Sequence, residues 1–200
     1  MRKSKYLIIN SFYFDFNDDL SEIITVKELF KKQNILDLER FNKLISIKEN
    51  QFEFYNLNFL YLPKNIEIMG KYVFLNNQIQ LLDLSNYINL RIIKSGVFSY
   101  NQIKQLKLPK NIEILDKYTF SVNQIEILDL SNCIKLKEIL SDAFSDNPLK
   151  EIKILGNIEI EYDNYYKKDI WNIFARYYND NEKKAGDYKL ENNEWKWYPL

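Results

Sequence analysis

The sequence predicts a right-handed solenoid of leucine-rich coils, with short parallel strands on its concave face. Two observations support this prediction. The chain matches itself at a spacing of 46 residues, and each such period divides into two unlike halves of 22 and 24 residues. Each half also carries an apolar, variable, apolar pattern, which is typical of a half-buried strand. Because one coil cannot bury its apolar side alone, the repeats must stack on one another.

The self-match is direct in both halves of the period. Residues 60–68 read LYLPKNIEI and recur at 106–114 as LKLPKNIEI. The run LDLSN at 82–86 recurs at 128–132, and a degenerate copy starts at Leu36. Strand-like segments therefore start at positions 36, 60, 82, 106, 128 and 152. Units of this length are typical of leucine-rich repeats, so the predicted fold class is a leucine-rich repeat solenoid.

The repeat pattern also divides the chain into three regions. The repeats occupy residues 35–161 as about six coils, with an N-terminal cap at 1–34 and a C-terminal cap at 162–200. Six strands spaced about 4.8 Å apart would form one parallel sheet about 25 Å long. Caps are expected because a solenoid exposes an apolar edge at each end.

Two columns of side chains recur from coil to coil. Five phenylalanines at this spacing are predicted to stack inside the solenoid as core: Phe52, Phe74, Phe98, Phe120 and Phe144. Three residues after four of them stand Asn77, Asn101, Asn123 and Asn147. Asparagine tolerates left-handed turns and bonds to nearby backbone, which predicts a turn ladder. An amide-lined binding row is the alternative interpretation.

The N-terminal cap is predicted to contain a strand and a short helix. Apolar side chains alternate from Phe12 to Phe16, which indicates a strand. Thr25 and Glu28 have the spacing of a capping box and are followed by Leu29 and Phe30, which predicts the start of a helix.

The C-terminal cap is predicted to contain a helix and a β-hairpin. Apolar residues recur at helical spacing from Tyr166 to Tyr177, after a candidate N-cap at Asp163 or Asn164. The hairpin turn is expected at positions 192–193, which places Tyr188, Leu190, Trp195 and Trp197 on one face. This face could pack on the helix and the last coil. Alternatively, its tryptophans could stack on sugar rings.

The outward side chains of the strands form the candidate protein-binding site on the concave face. This site consists of Ile35, Phe59, Tyr61, Leu81, Asp83, Lys107, Ile127 and Asp129. Its first part is apolar, although the surface of a monomer favours polar groups, which indicates a binding surface. The alternative is that the N-terminal cap covers this part. In its second part Lys107 lies between two aspartates. Those charges form either a ladder of ion pairs or a stripe that contacts a ligand.

Composition excludes most catalytic classes. The chain has 28 basic and 28 acidic residues, no histidine, a single cysteine at 133 and four glycines. These numbers argue against nucleic-acid binding, histidine-dependent catalysis, zinc sites and phosphate-binding glycine loops, and no metal or other cofactor is expected. Paired carboxylates at Asp18 with Asp19 and Glu159 with Glu161 leave a hydrolase with Asp or Glu catalysis as one hypothesis.

Targeting signals are weak. The first nine residues imitate the basic and apolar regions of a signal peptide, but Asn10 and Asp15 interrupt them and no small-residue cleavage site follows. No apolar run approaches the length of about 20 residues that spans a bilayer, so membrane insertion is not expected. The sequence alone favours a cytoplasmic monomer.

The repeat residues resemble a known family. Residues 106–109 (LKLP), followed by Ile112, Leu115, Tyr118 and Phe120, are similar to the BspA-like leucine-rich repeats of bacteria and some protists. The likeness covers about residues 35–160. The family's usual alanine before the phenylalanine remains only at Ala143, and the four asparagines replace its frequent cysteine.

This resemblance implies a non-enzymatic protein, often at the cell surface, that presents its repeats for adhesion or protein contact. It transfers no binding residue, because the shared positions are structural. The leading functional hypothesis is therefore a protein-binding or adhesion module that uses the concave face. The alternatives are a carbohydrate-binding surface module that uses Trp195 and Trp197, and a hydrolase with Asp or Glu catalysis.

Overall fold

The fold was obtained as a computed structural model. The structure describes residues 34–163, 165 and 168–200, together with the backbone of three N-terminal strands at 5–9, 12–16 and 22–28. These strands are β1 (Lys5–Ile9), β2 (Phe12–Phe16) and β3 (Glu22–Glu28). No helix within these ranges is both long enough and apolar enough to cross a membrane.

Two kinds of strand alternate along the repeats. They are β4 (Ile35–Asp37), β5 (Ser46–Ile47), β6 (Phe59–Tyr61), β7 (Ile68–Met69), β8 (Leu81–Asp83), β9 (Ile92–Ile93), β10 (Gln105–Lys107), β11 (Ile114–Leu115), β12 (Ile127–Asp129), β13 (Glu138–Ile139), β14 (Glu151–Ile154) and β15 (Glu159–Ile160). The longer, even-numbered strands form the first face of the solenoid, which is the predicted concave face. The two-residue strands form the second face.

Where strands of neighbouring coils pair within a face, the pairing is parallel and in register. On the first face Leu36 pairs with Leu60, Leu82 with Leu106, and Leu128 with Ile152. On the second face β9, β11, β13 and β15 form one parallel sheet. The predicted leucine-rich repeat solenoid with short parallel strands is confirmed.

The first face is not one continuous sheet, so that part of the prediction is wrong. Its strands pair across the 24-residue steps, as β4 with β6, β8 with β10 and β12 with β14. No strand pairing links β6 to β8 or β10 to β12 in the part of the chain that the structure describes. We call these two 22-residue steps the open steps. The strand that precedes each open step runs into a Leu-Pro pair, 62–63 or 108–109.

The phenylalanine column forms the centre of the core. The rings of Phe52, Phe74, Phe98, Phe120 and Phe144 are fully buried and lie nearly parallel, with centroids 5.6, 5.5, 5.6 and 5.3 Å apart. Trp171 from the C-terminal helix continues the column, with its ring centroid 5.0 Å from that of Phe144. The core therefore runs without interruption from the first coil into the C-terminal cap.

The asparagine column links successive coils. Asn101 is typical: its Oδ1 accepts from the Ile79 N–H at 3.2 Å, and its Nδ2 donates to the carbonyls of Phe74 and Phe98 at 2.9 and 3.2 Å. Asn77, Asn123 and Asn147 make the same set of contacts. All four are buried. The predicted bonding of these amides to nearby backbone is confirmed. The left-handed residues of the turns, however, are the preceding ones, Asn76, Tyr100, Val122 and Asp146, rather than the asparagines themselves. The alternative of an amide-lined binding row is wrong.

The N-terminal cap differs from its prediction. The strand predicted at 12–16 is β2, but Thr25 and Glu28 lie inside strand β3 rather than at a helix start. The run Ile-Ile-Thr-Val at 23–26 explains this difference, because β-branched side chains favour strands over helices. Leu29 and Phe30, the predicted start of the helix, lie outside the described residues. Strand β3 pairs in parallel with β5 and so extends the second face.

The C-terminal helix, α1 (Ile170–Asp180), begins later than predicted. Its N-cap is Asp169, whose carboxylate accepts from the Asn172 N–H at 3.0 Å, so the predicted N-cap at Asp163 or Asn164 is wrong. Asp163 lies six residues before Asp169, beyond the single turn within which a side-chain acceptor reaches the helix's free N–H groups. Tyr166 and Asn164 lie outside the described residues.

The predicted hairpin is present and closes the first face. Strands β16 (Gly186–Glu191) and β17 (Glu194–Tyr198) are joined by two asparagines at 192 and 193, both with positive φ. Strand β16 pairs antiparallel with β14, where Tyr188 lies opposite Ile152. Tyr188 and Trp195 contact the Phe174 ring of α1 edge-on. The prediction that the hairpin packs on the helix and last coil is confirmed.

Candidate functional site

An apolar strip lies on the first face, across its first three coils. The strip consists of Ile35, Phe59, Tyr61 and Leu81, which are 36, 49, 45 and 60% exposed. Alternate residues of a strand point to opposite sides, so the same strands that bury Leu36 and Leu82 turn these side chains outward. The described N-terminal strands extend the second face instead of pairing with β4. The strip is therefore solvent-accessible.

The charged row beyond the strip is only partly self-neutralised. Lys107 Nζ lies 3.4 Å from Asp83 Oδ2, and both side chains are more than half exposed, so the pair contributes little stability. A hydrogen bond from the Ser85 hydroxyl is the main reason that the pKa of Asp83 is lowered. Asp129 accepts instead from the backbone and hydroxyl of Ser131 at 2.9 and 2.6 Å. The predicted ladder of ion pairs thus holds for one aspartate only.

A groove lies at the second open step, between β10 and β12. Its volume is about 1180 Å³, and three of the predicted site residues, Lys107, Ile127 and Asp129, line it. The structure thus divides the predicted site into two parts, the apolar strip and this open-step groove. Periodicity gave the outward positions but not the groove. The sequence signal for an open step is the Leu-Pro pair, at 62–63 and at 108–109, because proline has no N–H with which to extend a ladder.

The tryptophans do not form the predicted carbohydrate platform. Trp195 is only 4% exposed, so its ring face is not available to a sugar. Trp197 is 39% exposed, and its indole N–H donates to the Ala185 carbonyl at 3.0 Å. The hypothesis that both rings stack on a carbohydrate is therefore wrong.

The carboxylate pair of the repeats is not arranged for acid and base catalysis. Glu159 bonds Lys183, and Glu161 lies 4.0 Å from Lys117. Asp18 and Asp19 lie outside the described residues. Among the residues the structure describes, no group of three or more potential metal ligands comes together.

Cys133 is a core residue rather than a nucleophile. Its side chain is buried. Burial, with a smaller contribution from Asp129, raises the pKa of its thiol to about 12. At neutral pH the thiolate that would attack an electrophile is therefore essentially absent.

Comparison with protein families agrees with the geometry. The model of the BspA-type leucine-rich repeat region matches residues 45–173 in six copies. No curated protein and no solved structure matches the chain. The matched span covers more than half of the chain and contains the stacked phenylalanine and asparagine columns. The chain therefore belongs to the BspA-type leucine-rich repeat family.

Proposed function

We propose that this chain is a protein-binding or adhesion module that contacts its partner through the first face. The observation that supports the proposal is the exposure of the apolar strip. Four neighbouring apolar side chains, two of them aromatic, lie on a surface where a monomer favours polar groups. Aromatic residues in the centre of an interface commonly carry most of its binding energy.

The charged part of the site fits the rim of such an interface. Asp83 and Lys107 lie next to the strip, and Ile127 and Asp129 continue the face into the open-step groove. An apolar centre surrounded by polar groups is the usual anatomy of a protein interface. Extended faces of this type are also the common contact surfaces of repeat proteins.

Removal of the two aromatic side chains tests the proposal. The variant Phe59→Ala/Tyr61→Ala is expected to bind the partner with an affinity reduced at least about tenfold. The reason is that truncation of two central aromatic contacts removes several kcal/mol of binding energy. Both side chains are about half exposed, so the change in the unfolding midpoint should be small. Capture is measured with the immobilised 200-residue chain, and unfolding is followed by circular dichroism.

The matched control lies on the second face. Ile68 and Ile92 are 45 and 42% exposed, similar to the two aromatic residues, but they belong to β7 and β9. The variant Ile68→Ala/Ile92→Ala should capture partners as the parent chain does. Equal capture by the parent and Phe59→Ala/Tyr61→Ala, or an equal loss in both double variants, would contradict the proposed site.

A further inference from the structure

The two open steps of the first face are equivalent positions, 46 residues apart. A side chain occupies the gap between the strands at only one of them, which we call the filled step. At the first, between β6 and β8, the hydroxyl of Tyr87 accepts from the Leu62 N–H and donates to the Leu62 carbonyl, both at 3.3 Å. Tyr87 is partly buried and packs against the core. Burial raises the pKa of its hydroxyl, so the hydroxyl is protonated and can donate. A tyrosine side chain thus replaces the missing strand partner of Leu62.

The second open step lacks this side chain. The residue 46 positions after Tyr87 is Cys133, and the residue 46 positions after Leu62 is Leu108. Both Leu108 and Cys133 line the open-step groove. Within the described residues, neither the N–H nor the carbonyl of Leu108 has a protein hydrogen-bond partner. Backbone groups at nearly buried positions are almost always paired, so these two groups favour a ligand that both donates and accepts.

The groove carries a net positive charge of one, because three lysines and two carboxylates line it. Lys104 and Lys110 line it without an acidic partner among the described residues. Of the groove's two carboxylates, Glu126 is paired with Lys150 at 2.7 Å, whereas Asp129 accepts from the Ser131 hydroxyl and keeps its negative charge. A ligand with negative charge on either side of its inserted group would complement these lysines.

We propose that the open-step groove binds a tyrosine side chain presented by an acidic segment of a protein partner. Its hydroxyl bonds to the Leu108 N–H and carbonyl, as the Tyr87 hydroxyl does to Leu62, and its ring contacts Leu106, Ile127 and Ile134. The inference rests on the proposed function in that the partner is a protein. It concerns a part of the face separate from the apolar strip.

The probe is the peptide acetyl-Gly-Glu-Tyr-Glu-Gly-amide, titrated into the ¹⁵N-labelled full chain. We expect a saturable shift of the Leu108 amide resonance, with a smaller response at Leu62. The phenylalanine analogue should bind at least about fivefold more weakly, since it lacks the hydroxyl that makes two hydrogen bonds. The analogue with lysines in place of the glutamates should also bind more weakly, because it places positive charge beside Lys104 and Lys110.

Two variants complete the experiment. Lys110→Glu should weaken peptide binding, whereas Lys64→Glu, the equivalent exposed position at the filled step, should leave it unchanged. Cys133→Tyr places a tyrosine of the chain itself in the open-step groove, so this variant should abolish peptide binding.

Equal affinity for the tyrosine and phenylalanine peptides, equal effects of the two lysine variants, or no shift at Leu108 would overturn the inference. None of these results would affect the Phe59→Ala/Tyr61→Ala comparison, so the two proposals fail separately.

Discussion

Phe98→Ala is expected to lower the free energy of unfolding by about 4 kcal/mol. Phe98 is fully buried, and its ring lies between those of Phe74 and Phe120 at 5.5 and 5.6 Å. Both neighbours are fixed by their own coils, so the space left by the ring cannot close by collapse. The loss therefore combines the lost transfer free energy with a cavity. Denaturant unfolding followed by circular dichroism measures it.

An exposed phenylalanine provides the control for this prediction. Phe54 is 60% exposed on the outside of the first coil, so Phe54→Ala should change the stability by less than about 0.5 kcal/mol. The free energy of unfolding that Phe98→Ala removes is a large fraction of a domain's stability. Phe98→Leu is a smaller truncation of the same side chain and keeps the chain folded. Equal stabilities of the Phe98 and Phe54 variants would show that the column is not the core.

Asn123→Ala is expected to lower the free energy of unfolding by about 3 kcal/mol. The Asn123 side chain accepts from the Ile103 N–H at 2.9 Å and donates to the carbonyls of Phe98 and Phe120 at 2.9 and 3.0 Å. Truncation leaves these buried backbone groups unpaired, and each such group costs about 1 to 3 kcal/mol. Partial relaxation of the surrounding backbone keeps the total loss of stability below the sum of these individual costs. The Ile103 amide should also lose protection from hydrogen exchange.

The control is an asparagine with a single exposed contact. Asn111 Nδ2 donates to the Ile88 carbonyl at 3.0 Å on the surface, where water replaces the lost bond. Asn111→Ala should therefore lower the stability by less than about 1 kcal/mol. If Asn123→Ala and Asn111→Ala destabilise the chain equally, the asparagine column does not hold successive coils together.

The sequence predicts the solenoid well because the repeat constrains the same positions in every coil. Phe98 and Asn123 recur at fixed spacing, and stacking of the coils buries the ring of the first and satisfies the amide of the second. The ends were less predictable. Thr25 and Glu28 satisfy the spacing of a capping box, but local propensity and pairing with β2 place them in a strand. A cap has no copy elsewhere in the chain to support its interpretation.

For the candidate site, alternation predicted which side chains point outward but not how the strands pair. The exposure of Phe59 and Leu81 follows directly from the strand pattern. The open-step groove does not, because it depends on backbone hydrogen bonds that are absent between β10 and β12 in the described structure. The strand pairing shows that both steps are open. A comparison of Tyr87 with Cys133 then shows that a side chain occupies the first open step but not the second.

The most direct test of the account is cysteine cross-linking between neighbouring coils, because both proposed surfaces depend on parallel stacking in register. Asp83 lies opposite Lys107, so Asp83→Cys/Lys107→Cys should form an intramolecular disulfide under mild oxidation, at a Cα separation of about 5 Å. Leu81→Cys/Lys107→Cys should not, although an antiparallel arrangement would place these two residues opposite each other. Cys133 does not compete, because burial raises the pKa of its thiol to about 12. Efficient cross-linking of the 81/107 pair with none of the 83/107 pair would contradict the solenoid.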